Sequence, residues 1–392
     1  MPLISLIIPT RNEEETIGEC IHHARAVFED MGVEGEIIVA DSSTDATPEI
    51  ARSLGARLVR PDNLGYGNAY LEGFKHARGR YIVILDGDLT YDPCDMPKFV
   101  GLLEEGKADL VMCTRLKGEI KKGAMPPLHK HVGNPLLTSI LNRLFGTDVS
   151  DVHCGMRAIT KEALGLLNLH AGGMEFASEM LIEASRKNLR IAEVPITYYP
   201  RRGASKLSSF SDGWRHLRFM MLYRPTPFLL APGLVALVLG LALTFLVLMG
   251  AQTQELRTQS LILGSLLLIM GYQTFLSGVY VSAFGTSYGI SEKKGLVGRL
   301  MSYHSLEREL VAGVLLLATG MAVGVSVILS WKATGYGSLH EVQKAMISLI
   351  LSILGIQTIF SATFISLLLL RNGTEPNEDN IRDPRADINR QK

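Results

Sequence analysis

Two aspartates separated by one glycine, Asp86-Gly87-Asp88, end the apolar run YIVIL and supply the strongest chemical signal in the chain. A tight turn at glycine lets both carboxylates present oxygens to a hard divalent cation, together with the phosphates or ribose that such a cation accompanies. Mg2+ or Mn2+ is the metal this pair implies. An acidic loop at a strand end is the commoner meaning of Asp-x-Asp alone, so the motif takes its weight from its place in the chain. A second cluster, Arg201, Arg202, Gly203, Ser205 and Lys206, sets cationic and hydroxyl side chains beside a glycine. That set suits phosphate oxygens, which arginine can hold through two N–H groups at once. Part of its charge also serves as the basic flank of a membrane segment, and Arg202 suits lipid headgroups.

These groups need a frame that brings them to one edge. Strand-length apolar runs alternate with helical patterns: Ile4 to Ile8 then Glu13 to Phe28, Glu36 to Ala40 then Thr47 to Leu54, Arg57 to Val59 then Gly67 to Ala77, Tyr81 to Leu85 then Met96 to Glu104. Repeated βα units predict a mainly parallel sheet covered on both faces, with ligands at the C-terminal ends of its strands. At those ends stand Pro9 to Glu13, Asp41 to Asp45 and Asp86 to Asp88. Asp41 can accept bonds from ribose hydroxyls or base N–H groups, whereas Asp45 reads better as a cap for the helix that follows.

The remainder of the chain has a different solvent. Of 392 residues 47% are hydrophobic and 20% charged, but the charge thins abruptly beyond Phe228. Phe228 to Gly250, Ser260 to Phe284, Leu310 to Ser330 and Ala345 to Leu370 each offer the ~20 apolar residues a helix needs to cross a ~30 Å hydrocarbon core. Basic residues crowd before the first segment (Arg215, Arg218, Arg224) and between the second and third (Lys293, Lys294, Arg299, Arg308). Such segments stay in the cytoplasm, which predicts a multi-pass protein of the cell membrane with both termini and the soluble domain cytoplasmic. Between the halves, DGWRHLRFMMLYRP sets Trp214, Leu217 and Met221 on one helical face with Arg215 and Arg218 beside them. This suits a helix lying in the interface, or one packed on the soluble domain. The predicted domains are 1–208 soluble, 209–227 juxtamembrane, 228–370 membrane-spanning and 371–392 a polar, disordered tail.

The ordered series PTRNEEETI, ADSSTDAT, NLGYGNAYLEGFKHARG, DGDLTYDP, DVHCGMRAITKEAL and EVPITYYPRRGASKL resembles glycosyltransferase family 2. Within it the wording is similar to the branch of dolichol-phosphate mannose synthase and the polyprenyl-phosphate glycosyltransferases. The resemblance covers the soluble half and implies an α/β GT-A (Rossmann-like) catalytic domain, to which the four predicted transmembrane helices are joined. It implies a nucleotide-sugar donor, UDP- or GDP-linked, with Pro9, Glu13 and Asp41 at base and ribose, Asp86 at ribose or metal, and Asp88 at the metal. Gly87, Arg201, Ser205 and Lys206 complete the donor contacts. Arg115, Lys130 and Asn134 fall where related enzymes meet the acceptor phosphate, although Lys130 and Asn134 replace an Arg and a Ser. Thr90 stands where relatives often carry Gln. Arg157 matches a family motif and equally suits a structural pair with Glu175 or Glu179.

The acceptor so implied is dolichyl or polyprenyl phosphate. A lipid monophosphate is already ionised near neutral pH, so the chemical task is to bring one anion to another, with a metal and basic side chains screening both. Asp88, Arg115, Arg201 and Lys206 are the residues expected to carry it. A processive polysaccharide synthase would carry a Gln-x-x-Arg-Trp motif, which is absent. A non-enzymatic membrane module would place charges inside its spans, and these segments are almost free of them. Glycines 240, 264, 271, 278 and 320 could instead serve close helix contacts or an oligomer surface. Equal numbers of basic and acidic residues, 39 each, give no support to nucleic-acid binding. The four cysteines, Cys20, Cys94, Cys113 and Cys154, lack metal-site or disulfide-framework spacing and suggest a reducing compartment. Histidines 129, 131 and 153 lack the pattern of a metal site.

Overall fold

In the computed structural model, residues 2–202, 209–250, 254–290, 305–336 and 341–370 are described. The chain divides into two compact units, Met1–Phe219 and Met220–Lys392. The division falls within the helix Ser209–Tyr223. Gly203, Ser205, Lys206 and the tail after position 370 lie outside the described residues.

The first unit runs β1 (Ile4–Thr10), α1 (Ile17–Asp30), β2 (Gly35–Asp41), α2 (Thr47–Ser53), β3 (Arg57–Val59), α3 (Tyr66–His76), β4 (Tyr81–Ile84), α4 (Met96–Glu104), β5 (Leu110–Ile120), α5 (Asn134–Phe145), β6 (Arg157–Thr160), α6 (Lys161–Leu166), α7 (Phe176–Arg186), β7 (Ile191–Tyr198) and α8 (Ser209–Tyr223). Seven strands form one sheet in the order β3-β2-β1-β4-β6-β5-β7. The first four are parallel, β6 runs antiparallel to both neighbours, and β7 is parallel to β5. Strands covered on both faces are apolar throughout, not alternating, and Ile4, Leu6, Ile7 and Ile8 of β1 are all fully buried. On α1 the buried positions Ile17, Cys20, Ile21, Ala24, Val27 and Phe28 make the single stripe that seals one face. Burial of each of the larger side chains among them, Ile17, Ile21, Val27 and Phe28, contributes roughly 1.5–3 kcal/mol.

The topology fixes where chemistry can occur. The chain leaves β1 for β2 and β3 on one side and then returns to β4 on the other, so the crevice opens between the C-terminal ends of β1 and β4. Glu13 follows one of these strands and Asp86-Gly87-Asp88 the other. Beneath the crevice, Cys113 on β5 and Cys154 form a disulfide with Cα atoms 5.9 Å apart. The sheet thus joins two cysteines whose spacing in the sequence shows no disulfide framework, against the expectation drawn from that spacing.

The second unit contains α9 (Ala231–Leu248), α10 (Gln254–Ser287), α11 (Leu306–Ala333) and α12 (Val342–Leu370). Among the described residues four helices are long and apolar enough to cross a membrane, over Thr226–Leu248, Thr258–Ser287, Leu306–Ala333 and Val342–Leu368. α9 packs on α10 and α11 on α12 through glycine. A Cβ on Gly240 would stand 2.6 Å from the Leu268 amide, and one on Gly320 at the same distance from the Ser352 amide. Small residues let backbones approach in this way where lipid removes the hydrophobic drive between helices.

Candidate active site

Asp86 is held from three directions. Its Oδ1 accepts hydrogen bonds from the hydroxyls of Tyr66 (2.9 Å) and Tyr70 (3.3 Å) on α3. On the other side Gly155 comes so close that a Cβ there would lie 2.4 Å from Asp86 Oδ2, and the Gly155 amide donates to Tyr91 Oη at 2.8 Å. Burial first, and then the charge of Asp88, raise the pKa of Asp86 above the carboxylate range, against the opposing effect of the tyrosine bonds.

Asp88 is oriented differently. Its Oδ1 accepts from the Thr90 amide (3.1 Å) and hydroxyl (2.6 Å), which leaves Oδ2 facing Arg201 Nη1 at 3.4 Å. The other terminal nitrogen of Arg201 meets Glu13 Oε1 at 2.7 Å. Residues from the ends of β1 and β4 and from just past β7 therefore converge on one point, and Arg201 is less than one-quarter exposed there. Its Nε is buried without a hydrogen-bond partner among the described residues.

The donor set decides what kind of metal site this can be. No group of three or more His, Cys, Asp or Glu side chains able to hold a metal occurs among the described residues. The oxygens of Asp88 Oδ2 and Asp86 fit Mg2+ or Mn2+ bound through one or two carboxylates, with ligand phosphates and water completing the shell, and do not fit an all-protein cage.

Beside this point lies the region of Asp41. It is buried and accepts from Thr10 Oγ1 (2.8 Å) and Ser43 Oγ (2.5 Å). The register pairs Thr10 with Asp41, so the two β-strand ends present this pair together. A cleft of about 370 Å³ opens along Arg11, Asn12, Ser43 and Arg60. Pro9 is half-buried on β1 behind it. Asp45 accepts from the Thr47 amide and hydroxyl (3.0 and 2.6 Å). Burial pushes its pKa up, but these bonds and that from the Glu14 amide prevail and hold it below the usual value. Gly87 packs against β1, where a Cβ would meet Ile8 Cγ2 at 3.0 Å.

The remaining predicted residues are held by partners of their own. Arg115 is buried in a bidentate pair with Asp151, at 2.7 and 2.8 Å, and its guanidinium lies over the Tyr198 ring. Arg157 is buried and donates to the carbonyls of Cys154, Ala177 and Val152 rather than to Glu175 or Glu179. Glu179 instead accepts the amides of His170 and Ala171, holding a loop whose carbonyls lie against Gly65 and Gly67 at the start of α3. His153 packs edge-on to His216 of α8, and burial first and His216 second hold it well below the ordinary imidazole pKa. Lys130 and Asn134 sit where a π-helical turn, His129–Gly133, runs into α5. That stretch exposes Leu128, Val132 and Leu136 at helical spacing, and Leu137 of α5 lies beside Gly213 of α8, next to exposed Trp214.

The motifs do not single out Tyr66, Tyr70 or Asp151, which hold the predicted site residues Asp86 and Arg115. The tyrosines stand in NLGYGNAY, but their bonds to Asp86 depend on how α3 lies across β4, which no local pattern shows.

Residues 5–166 match glycosyl transferase family 2, and residues 279–369 match the glycosyltransferase family 2 C-terminal transmembrane region. The chain is 40% identical over 373 residues to the low-salt glycan biosynthesis hexosyltransferase Agl6 of Haloferax volcanii, covering 94% of this chain and 89% of that one. It is 35% identical over 213 residues to a dolichyl-phosphate hexose transferase of the same organism, covering 54% of this chain and 89% of the relative. A glucosyl-3-phosphoglycerate synthase from Mycobacterium tuberculosis, solved with Mn2+, UDP and its product, overlaps at TM-score 0.47 and 26% identity, covering 56% of this chain and 79% of that one. With a GT-A-like α/β domain carrying its acidic pair at the switch point of the sheet, and a matching transmembrane region, the chain belongs to glycosyltransferase family 2.

Proposed function

We propose that the protein transfers a hexose from a UDP- or GDP-linked sugar to the phosphate of dolichyl or polyprenyl phosphate, on the cytoplasmic side of the membrane. The observation that carries this reading is the meeting of Glu13, Asp88 and Arg201, with a carboxylate oxygen and a guanidinium 3.4 Å apart. A site that must hold two phosphate-bearing reactants needs negative charge to anchor a cation and positive charge to accept phosphate, at one place. The relative named as a dolichyl-phosphate hexose transferase supports the acceptor class. So does the exposed apolar stripe of Leu128, Val132 and Leu136 on a chain whose other unit has four candidate membrane spans.

In this reading Asp41 and Ser43 orient the nucleoside in the cleft along Arg11 and Arg60. Tyr66 and Tyr70 fix Asp86 beside Asp88. A bound Mg2+ or Mn2+ would be held by Asp88, with Asp86 beside it, and would supply charge stabilisation on the leaving diphosphate. Arg201 exchanges its carboxylate partners for phosphate oxygens, and Lys206 and Ser205 join it there. The acceptor phosphate needs no base to remove a proton. Its oxygen displaces the nucleoside diphosphate in line, forming the sugar–phosphate bond as the sugar–diphosphate bond breaks, and the anomeric carbon inverts. Arg115, held rigid by Asp151, and Lys130 and Asn134 receive the incoming phosphate.

Incubation of the purified full chain with a panel of UDP- and GDP-sugars and a polyprenyl phosphate, followed by mass spectrometry of the lipid fraction, tests the proposal. One donor should give a hexosyl-phosphoryl-polyprenol. Release of nucleotide with every donor but no glycolipid would overturn the acceptor.

A further inference from the structure

The membrane unit repeats itself. The segment GYQTFLSGVYVS of α10 recurs in α12 as GIQTIFSATFIS, with Gly271, Gln273, Thr274, Ser277 and Ser282 returning as Gly355, Gln357, Thr358, Ser361 and Ser366. The packing repeats with the sequence. A Cβ on Gly233 would meet the Phe275 amide and the Gly271 carbonyl, and one on Gly313 would meet the Ile359 amide and the Gly355 carbonyl. Gly240 faces Leu268 and Gly264, as Gly320 faces Ser352 and Ser348. The pairs α9–α10 and α11–α12 are two copies of one hairpin.

The copies meet through faces that differ except at one pair of repeat equivalents, Tyr280 and Phe364. At the seam Tyr272 Oη bonds Thr358 Oγ1 at 2.7 Å, the Tyr280 and Phe364 rings are 5.0 Å apart, and Val279 clusters with Ile365. Burial shows which face each helix commits. On α10, Leu276 is 8% and Ala283 0% exposed, whereas their repeat equivalents on α12, Phe360 and Leu367, are 71% and 61% exposed. One face round the contrast is reversed but smaller: Ser361 and Ile365 of α12 are buried, while Ser277 and Val281 of α10 are only partly buried. Gln273 is exposed at the middle of its span, whereas its equivalent Gln357 has an Oε1 that is buried without a hydrogen-bond partner among the described residues.

We infer that these two open faces bind each other between copies of this chain. The seam inside one chain is the template: the Phe360 and Leu367 face of one copy receives the Gln273 and Val281 face of the next, as the face carrying Tyr272 and Val279 meets Thr358 and Ile365 within it. Such contacts are head-to-tail, so they propagate from chain to chain until a ring closes. By the repeat, the Val279–Ile365 contact returns between copies as Thr363 against Val281.

The test uses the full chain in nanodiscs, with Cys94→Ser as background because Cys94 is exposed. Under mild oxidation the pair V281C/T363C should give a ladder of covalent multimers. Neither substitution alone should cross-link, and a mixture of the two single variants should stop at dimers. Native mass spectrometry of the unsubstituted chain should show an oligomer. Cross-linking by either single variant would indicate a like-with-like interface and overturn the inference, as would a monomer in native mass spectrometry.

Discussion

The two units use glycine for the same physical purpose and reach different ends. In the soluble unit, Gly155, Gly65 and Gly67 let backbone come against Asp86 or against the loop at Ala171 and Gly172, and each approach positions a polar group of the site. In the membrane unit, Gly233, Gly240, Gly313 and Gly320 let one helix backbone come against another, and what they position is the hairpin itself. Removal of a side chain is a local act, and its consequence is set by what lies across the gap. Facing a carboxylate it tunes chemistry; facing a helix it sets packing.

Substitutions can break this comparison. Asp88→Ala should lower the initial rate of sugar transfer at least about 10³-fold, near 4 kcal/mol of lost charge stabilisation, while Arg201 keeps its pair with Glu13. Gly155→Ala should cost about 10²-fold in kcat, since displacement of a site group by an ångström is enough for that; the thermal midpoint of the full chain should show that the variant still folds. Tyr66→Phe removes one of two hydroxyls on Asp86 and should cost about tenfold, near 1.5 kcal/mol. Gly240→Ala should change the rate of transfer less than about twofold but destabilise the α9–α10 hairpin by about 1–3 kcal/mol, read as a lower unfolding temperature in detergent. A large loss of rate from Gly240→Ala, with the protein still folded, would dissolve the distinction between the two uses.

Much of this was legible in the residues. The βα series placed β1 to β4 and the acidic pair at one edge of the sheet, because burial on both faces leaves an unmistakable apolar run. The four spans were equally plain, for lipid demands length and apolarity that few other contexts do. The partners of the site were not legible. Tyr66 reaches Asp86, Arg115 reaches Asp151, and Cys113 reaches Cys154 only through the packing of distant elements, and the antiparallel strand β6 lies between β4 and β5 without a local signal. The repeated hairpin was hidden for another reason. In a bilayer many apolar residues serve equally well, so the repeat survives mainly at glycines and a few polar positions such as Gln273 and Gln357.

The central claim is that the site at Asp88 and Arg201 serves an acceptor held in the membrane. Its most direct test is transfer from a radiolabelled nucleotide sugar in proteoliposomes containing polyprenyl phosphate, with the full chain compared with Asp88→Ala. Label should appear in the organic phase as a sugar phosphate ester of the lipid, of inverted anomeric configuration, and none should appear with the variant. Label appearing in a water-soluble or polymeric product, or label in the lipid with Asp88→Ala at the unsubstituted rate, would contradict it.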